Sequence, residues 1–149
     1  FSFPDNKMDS VPLLDIVQSL EKVLEQCQPE IIYTHFAHDL NVDHRITHQA
    51  VLTACRPLFG CSVKEIYSFE VLSATEWNSK SLAQFIPQKI VNIEDYWNKK
   101  LAALKCYSDE LRLYPHSRSL ECVEAQSILR GCQHGVKRAE AYFVERILG

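Results

Sequence analysis

The sequence predicts a layered α/β domain with a mainly parallel sheet. Two observations carry that reading. Segments rich in β-branched and aromatic residues at 30–34 and 66–72 alternate with helical stripes of apolar residues, the order that builds strand–helix–strand units. The chain also has no repeat, low-complexity tract or linker to divide it, so residues 1–149 read as a single domain.

The elements follow in order. Asp9 or Ser10 is expected to cap a first helix with Pro12 in its first turn, where a missing N–H costs nothing. Leu13, Ile16, Val17, Leu20, Val23 and Leu24 form its apolar stripe, which stops near Pro29. Residues 30–34 form a strand, and a polar loop from 35 to 42 follows. Asp43 or a neighbour caps a second helix carrying Ile46, Ala50, Val51 and Ala54, closed before Pro57. Period-two alternation at Tyr67, Phe69 and Val71 marks the strand at 66–72. A loop at 73–78 and a brief strand at 89–91 come next. Trp97, Leu101, Leu104, Tyr107 and Leu111 mark a third helix that ends before Pro115. The last region, from Ser119 to Ile147, reads as helical, bent or split around Gly131 and Gly135.

Composition excludes several function classes. Hydrophobic residues at 46% and charged residues at 23% are ordinary globular values. A net charge of -3 offers no broad electrostatic reason to bind nucleic acid or an anionic membrane. No apolar run approaches the roughly 18 residues of a membrane span. With four glycines in the chain there is no glycine-rich phosphate loop. The six cysteines form no Cys-x-x-Cys pair and most fall at apolar helical positions, so they are expected to be reduced and buried in a cytoplasmic protein.

The chemistry concentrates in one stretch, Thr34-His35-Phe36-Ala37-His38-Asp39-Leu40-Asn41-Val42-Asp43-His44-Arg45, continuing to His48. It follows a strand end and opens a helix, where α/β folds place their active sites. Imidazole and carboxylate groups suit zinc, and His44 and His48 share a helix face, although Arg45 stands where a zincin places its glutamate. The alternative is a helix cap at Asp43 with His35 and His38 solvated in the loop. A second cluster is Tyr114-Pro115-His116-Ser117-Arg118-Ser119. There, Arg118 and a helix N-terminus either grip an anionic or polyhydroxylated ligand, or Ser119 simply caps the helix. Arg130-Gly131 with Gly135 is a third feature: small residues four apart allow close backbone packing, and Glu140 is a candidate partner for Arg130.

Taken together these motifs resemble the LmbE/PIG-L family of zinc-dependent N-deacetylases, which act on N-acetylglucosamine-type groups. The resemblance runs through Phe3-Pro4-Asp5-Asn6-Lys7-Met8-Asp9, Tyr33-Thr34-His35, the stretch from Asp39 to Arg45, and Ala54-Cys55-Arg56-Pro57. It continues with Phe69-Glu70, Thr75-Glu76-Trp77, the run from Pro115 to Ser119, Arg130-Gly131, and Ala139-Glu140-Ala141-Tyr142-Phe143. It implies a Rossmann-like three-layer α/β/α fold. It also makes His44 the third zinc ligand, with Asp43 holding or polarising groups beside it. Asn41 stands where many relatives have a histidine; an amide donates to an oxyanion but cannot shuttle a proton, which makes His116 the candidate acid. Asp39, Arg118 and Arg130 are the expected substrate-binding residues.

The family's other two zinc ligands and its general base come from a His-Pro-Asp-Asp-Glu motif, which this sequence does not contain. The expectation is a member without its first third or so, missing its first strand or strands and part of the metal site. The ancestral activity is removal of acetyl from N-acetylglucosamine-type substrates, and the isolated chain is expected to be inactive, because zinc held by one histidine is not retained. The alternative is a non-catalytic oligomeric binding module or a truncated cassette-type remnant. In a third arrangement His38, Asp39 and His48 join His44 in a rebuilt metal site, across a dimer. An exposed sheet edge leads us to expect a homodimer or higher oligomer.

Overall fold

The computed structural model describes residues 1–149, in two compact units. The first comprises residues 1–86 and 143–149, the second residues 87–142.

In the first unit, helix α1 (Leu13–Cys27) turns Ile16 and Val17 into the core. It ends at Gln28, whose backbone takes the left-handed conformation and whose N–H donates to Leu24 O at 2.8 Å. Strand β1 (Ile31–His35) and strand β2 (Glu65–Phe69) pair in parallel, with Tyr33 opposite Tyr67 and His35 opposite Phe69. Helix α2 (Val42–Ala54) connects them and packs on α1 and β1. Val51, Cys55, Val63 and Ile66 form one buried cluster. Ile16, Val17 and Ala50 form another, against which Phe3, Met8 and Val11 of the N-terminal segment pack. Arg146 donates to Cys55 O at 2.7 Å and Val63 O at 3.2 Å, tying the two ends of the loop between α2 and β2.

In the second unit, strand β3 (Lys89–Asn92) runs antiparallel to the first residues of strand β4 (Ala139–Ile147). Helices α3 (Trp97–Lys105) and α4 (Leu120–Cys132) complete it. The Arg138 guanidinium lies 4.4 Å over the buried Trp97 ring and bonds Glu124 at 2.6 Å. Ser119 caps α4, its hydroxyl accepting from the Cys122 N–H at 3.2 Å.

Several expectations are corrected. The strand order is β1-β2-β4-β3, with β1 and β2 parallel and β3 and β4 antiparallel, so the sheet is mixed rather than mainly parallel. The last region is not one helix. It is α4, a turn containing Gly135 in the left-handed region, and the nine-residue strand β4, whose buried Ala139 and Ala141 alternate with partly exposed neighbours. The third helix stops at Lys105, with turns in place of its last expected residues. Asp9 and Ser10 lie in a short 3₁₀ turn (Met8–Ser10), and the Ser10 hydroxyl donates to Lys7 O instead of capping α1. All six cysteines are unpaired, but only Cys55 is buried; Cys27, Cys61, Cys106 and Cys132 are exposed.

Candidate active site

The histidine-rich stretch begins where β1 ends and closes as α2 begins. Asn41, in extended conformation, is the cap of α2: its Oδ1 accepts from the Asp43 N–H at 2.8 Å and the His44 N–H at 3.4 Å. Its Nδ2 donates to Asn6 Oδ1 at 3.2 Å. With the cap filled by Asn41, Asp43 is free for another task. Both of its carboxylate oxygens accept backbone N–H groups of the N-terminal segment, from Asn6 at 2.6 Å and Met8 at 3.0 Å. The loop itself is tied down by Arg45, which donates to the carbonyls of Asp39 and Leu40 at 2.8 and 2.6 Å, and by the Leu40 N–H to Ala74 O at 2.9 Å.

At the centre lies Asp39, 1% exposed. Its Oδ2 is 2.9 Å from His44 Nδ1, and its Oδ1 accepts the Thr75 hydroxyl at 2.6 Å. A buried carboxylate with a hydrogen bond on each oxygen is satisfied where a bare one would be costly. The His44 ring stacks on that of His35, with centroids 4.0 Å apart and planes 26° from parallel. Burial, and then the neighbouring His44, push the His35 imidazole down to about 4, so at neutral pH it is an uncharged stacking platform.

One turn further along α2, His48 Nε2 lies 3.1 Å from Glu145 Oε1, which also accepts the Ser68 hydroxyl at 2.8 Å. Burial works to raise the Glu145 carboxyl, but hydrogen bonds from His48 and Ser68 and the charges of His48 and His38 outweigh it, and the net displacement is downward.

Asp39, Asn41, Asp43 and His44 are thus brought together in the first unit. His116, Arg118 and Arg130 lie in the second. There His116 Nδ1 accepts the Arg118 N–H at 3.0 Å, and Arg118 pairs with Glu110 at 2.5 Å. Arg130 occupies the last turn of α4. Glu140 takes Lys100 at 2.6 Å and the Tyr142 hydroxyl at 2.5 Å as its partners. Thr75, Ser68 and Glu145 were not anticipated as contributors to this polar cluster. Their partners lie 36, 77 and 97 residues away in the chain, beyond the reach of any local pattern.

A zinc site of the kind the resemblance implies needs three protein ligands and one open position. With Nδ1 engaged by Asp39, His44 has Nε2 left for a ligand, the arrangement of a carboxylate-supported imidazole. No three His, Cys, Asp or Glu side chains of residues 1–149 come together to hold a metal ion, and His38, Asp39, His44 and His48 do not form such a group. These residues by themselves do not fit a resident zinc. No helix is long and apolar enough to cross a membrane.

Residues 1–55, which include Asp39, Asn41, Asp43 and His44, match the PIG-L family model, described as GlcNAc-PI de-N-acetylase. A search by sequence among curated proteins finds no significant match. Among solved structures, the chain is similar to a conserved protein from Thermus thermophilus, with TM-score 0.74, 17% identity, and coverage of 99% of this chain and 65% of that one. It is also similar to GalB, the 4-carboxy-2-hydroxymuconate hydratase of Pseudomonas putida, with TM-score 0.68, 20% identity and coverage of 91% and 61%. For the N,N'-diacetylchitobiose deacetylase of Pyrococcus horikoshii the TM-score is 0.68 at 17% identity, with coverage of 97% and 55%. The chain therefore spans less than two thirds of these structures' own lengths. A hydratase and a deacetylase share this fold, so the fold alone does not choose the reaction. Residues 1–55 match the PIG-L, GlcNAc-PI de-N-acetylase pattern, and the chain as a whole shares the α/β fold of these solved structures.

Proposed function

We propose that this chain carries part of an N-deacetylase-type site for acetylated amino sugars, and that residues 1–149 alone bind such a group without hydrolysing it. The observation that carries this reading is the pairing of buried Asp39 with half-buried His44 where β1 hands over to α2, inside the segment that matches the PIG-L model. Hydrolysis of an acetamide needs a water to attack the carbonyl, a group to take its proton and a group to polarise the carbonyl oxygen. His44 Nε2 is one oriented imidazole nitrogen able to accept a proton or a ligand, and Asp39 holds its ring. Asn41 and Asp43 fasten the N-terminal segment beside it. A single oriented imidazole without a second polarising centre supports binding better than turnover. All of these residues lie in the first unit.

Strand β1 is an edge of the sheet, with Ile31 44% and Tyr33 50% exposed. That edge supports association with a second copy of the chain as part of the same proposal.

The test is a titration of the labelled chain with N-acetylglucosamine and, separately, with glucosamine, following the His44 ring by NMR, together with zinc content and amine release. The expected result is a shift with the acetylated sugar only, no stoichiometric zinc and no amine released above buffer. No response of His44 to either sugar would sink the binding reading. Stoichiometric zinc that disappears in His44→Ala, or amine release, would overturn the inactivity.

A further inference from the structure

Thr75 sits in a tightly built turn. Its N–H and that of Ala74 both donate to Val71 O, at 2.9 and 3.0 Å. Ser73 adopts a left-handed φ of 70°, held by its own N–H donating to Glu76 Oε1 at 2.6 Å. Ala74 O in turn receives the Leu40 N–H, which ties this turn to the loop that carries Asp39. The Thr75 hydroxyl is therefore fixed, and its hydrogen bonds have a forced direction. Oγ1 accepts the Val71 N–H at 2.7 Å, a group that can only donate. A hydroxyl has one hydrogen, and here it goes to Asp39 Oδ1 at 2.6 Å. Asp39 is then an acceptor at Oδ1, and as a carboxylate it is an acceptor at Oδ2 as well. The ring nitrogen 2.9 Å from Oδ2 must be the one that carries the proton.

We propose that Thr75 is a positioning residue: its hydroxyl, polarised by the Val71 N–H, acts through Asp39 to keep the His44 proton on Nδ1 and to present Nε2 as an unprotonated nitrogen. This deepens the reading of His44 as the oriented imidazole of the binding site and rests on it for its functional meaning. The His35 ring, stacked on His44, holds the plane of the imidazole but makes no hydrogen bond that would choose between its nitrogens. Asp39 makes that choice, and the Thr75 hydroxyl, fixed by the Val71 N–H, keeps the carboxylate aimed at the ring.

The experiment uses the full 149-residue chain with ¹⁵N-histidine, at a pH above the imidazole range, read by two-bond ¹H–¹⁵N correlation. Wild-type His44 is expected to show a protonated, pyrrole-type Nδ1 and a pyridine-type Nε2. Thr75→Val, of similar shape but without the hydroxyl, should lose that single-tautomer signature, both nitrogens moving toward the average. Thr75→Ser should restore it. Asp39→Asn, which places a donor against the ring, should move the proton to Nε2. His48 resonances and the backbone amide dispersion serve as the control for folding; if Thr75→Val does not fold, Thr75→Ala, which likewise lacks a donor, is read in the same way. A wild-type spectrum with the proton on Nε2, or a hydroxyl-deleted variant with an unchanged signature, would overturn the proposal. Because the readout is the tautomer, failure to bind an acetylated sugar would sink the functional reading and leave this result standing.

Discussion

Asp43 offers the sharpest separation between a residue that performs chemistry and one that builds the site. Its two carboxylate oxygens accept the Asn6 N–H at 2.6 Å and the Met8 N–H at 3.0 Å, so replacing it with alanine removes both bonds at once. A hydrogen bond to a charged group contributes about 1.5–3 kcal/mol when water is excluded. Asn6 is exposed and water replaces much of its bond, whereas Met8 is partly buried and loses more. Asp43 also stands in the first turn of α2, where an acidic side chain adds about 0.3–1 kcal/mol through the helix dipole. Taking the exposed bond at the low end, the buried one near the middle and the dipole at its low end, Asp43→Ala should cost about 4 kcal/mol. Phe3 and Met8 should then loosen from the cluster around Ile16, Val17 and Ala50. Asp43→Asn should cost nearly as much, since one of the two N–H groups would then face an amide donor. Urea unfolding measures the loss, and hydrogen exchange at Asn6 and Met8 locates it. An Asp43→Ala variant within about 0.5 kcal/mol of the parent, with both amides still protected, would refute the reasoning.

Two further outcomes follow from packing and charge. Gly131→Ala gains about 1 kcal/mol of helix propensity, but its Cβ would lie 2.6 Å from Val136 O and 2.7 Å from Arg138 N. Backbone cannot rotate away as a side chain can, so overpacking wins and the net loss should be about 2 kcal/mol; an unchanged or higher urea midpoint would refute this. Glu145→Gln should destabilise the fold by about 1–2 kcal/mol at neutral pH by weakening the bonds to His48 and Ser68. The Glu145 carboxyl is lowered from 4.5 in the folded chain, so its stabilisation is complete above that value and is lost as pH falls through the lower folded one. The gap between parent and variant should therefore close on acidification below about 4.5, and a gap that stays constant with pH would contradict the assignment.

What residue order alone reveals is what nearest neighbours decide. The apolar stripe of α1, the β-branched run of β1 and the onset of α2 were all legible, because helix periodicity, strand alternation and capping act over four residues or fewer. The junction of β1 and α2 on which the histidine-rich stretch falls was legible for the same reason. The cap showed the limit of that reading. Asn41 and Asp43 are both good capping residues, and the choice went to Asn41 because Asp43 is claimed by two N–H groups some 35 and 37 positions away.

Beyond that range the tertiary structure decided. Residues 139–147 mix helix formers (Ala139, Glu140, Ala141, Glu145, Arg146) with strand formers (Tyr142, Phe143, Val144, Ile147), and they form β4 because β3 and β2 supply hydrogen-bonding edges to it. Gly131 looked like a packing glycine, and it is one, but the backbone it admits is the returning chain at 136–138 that leads into that strand. The hydrogen-bond partners around His44 and His48, Thr75 through Asp39 and Glu145 beside Ser68, come from distant turns and strands. Their hydrogen bonds are specified by three-dimensional proximity, which a periodic pattern does not encode. Residue types mark where a site can be; only the folded chain determines which nitrogen of a histidine faces outward.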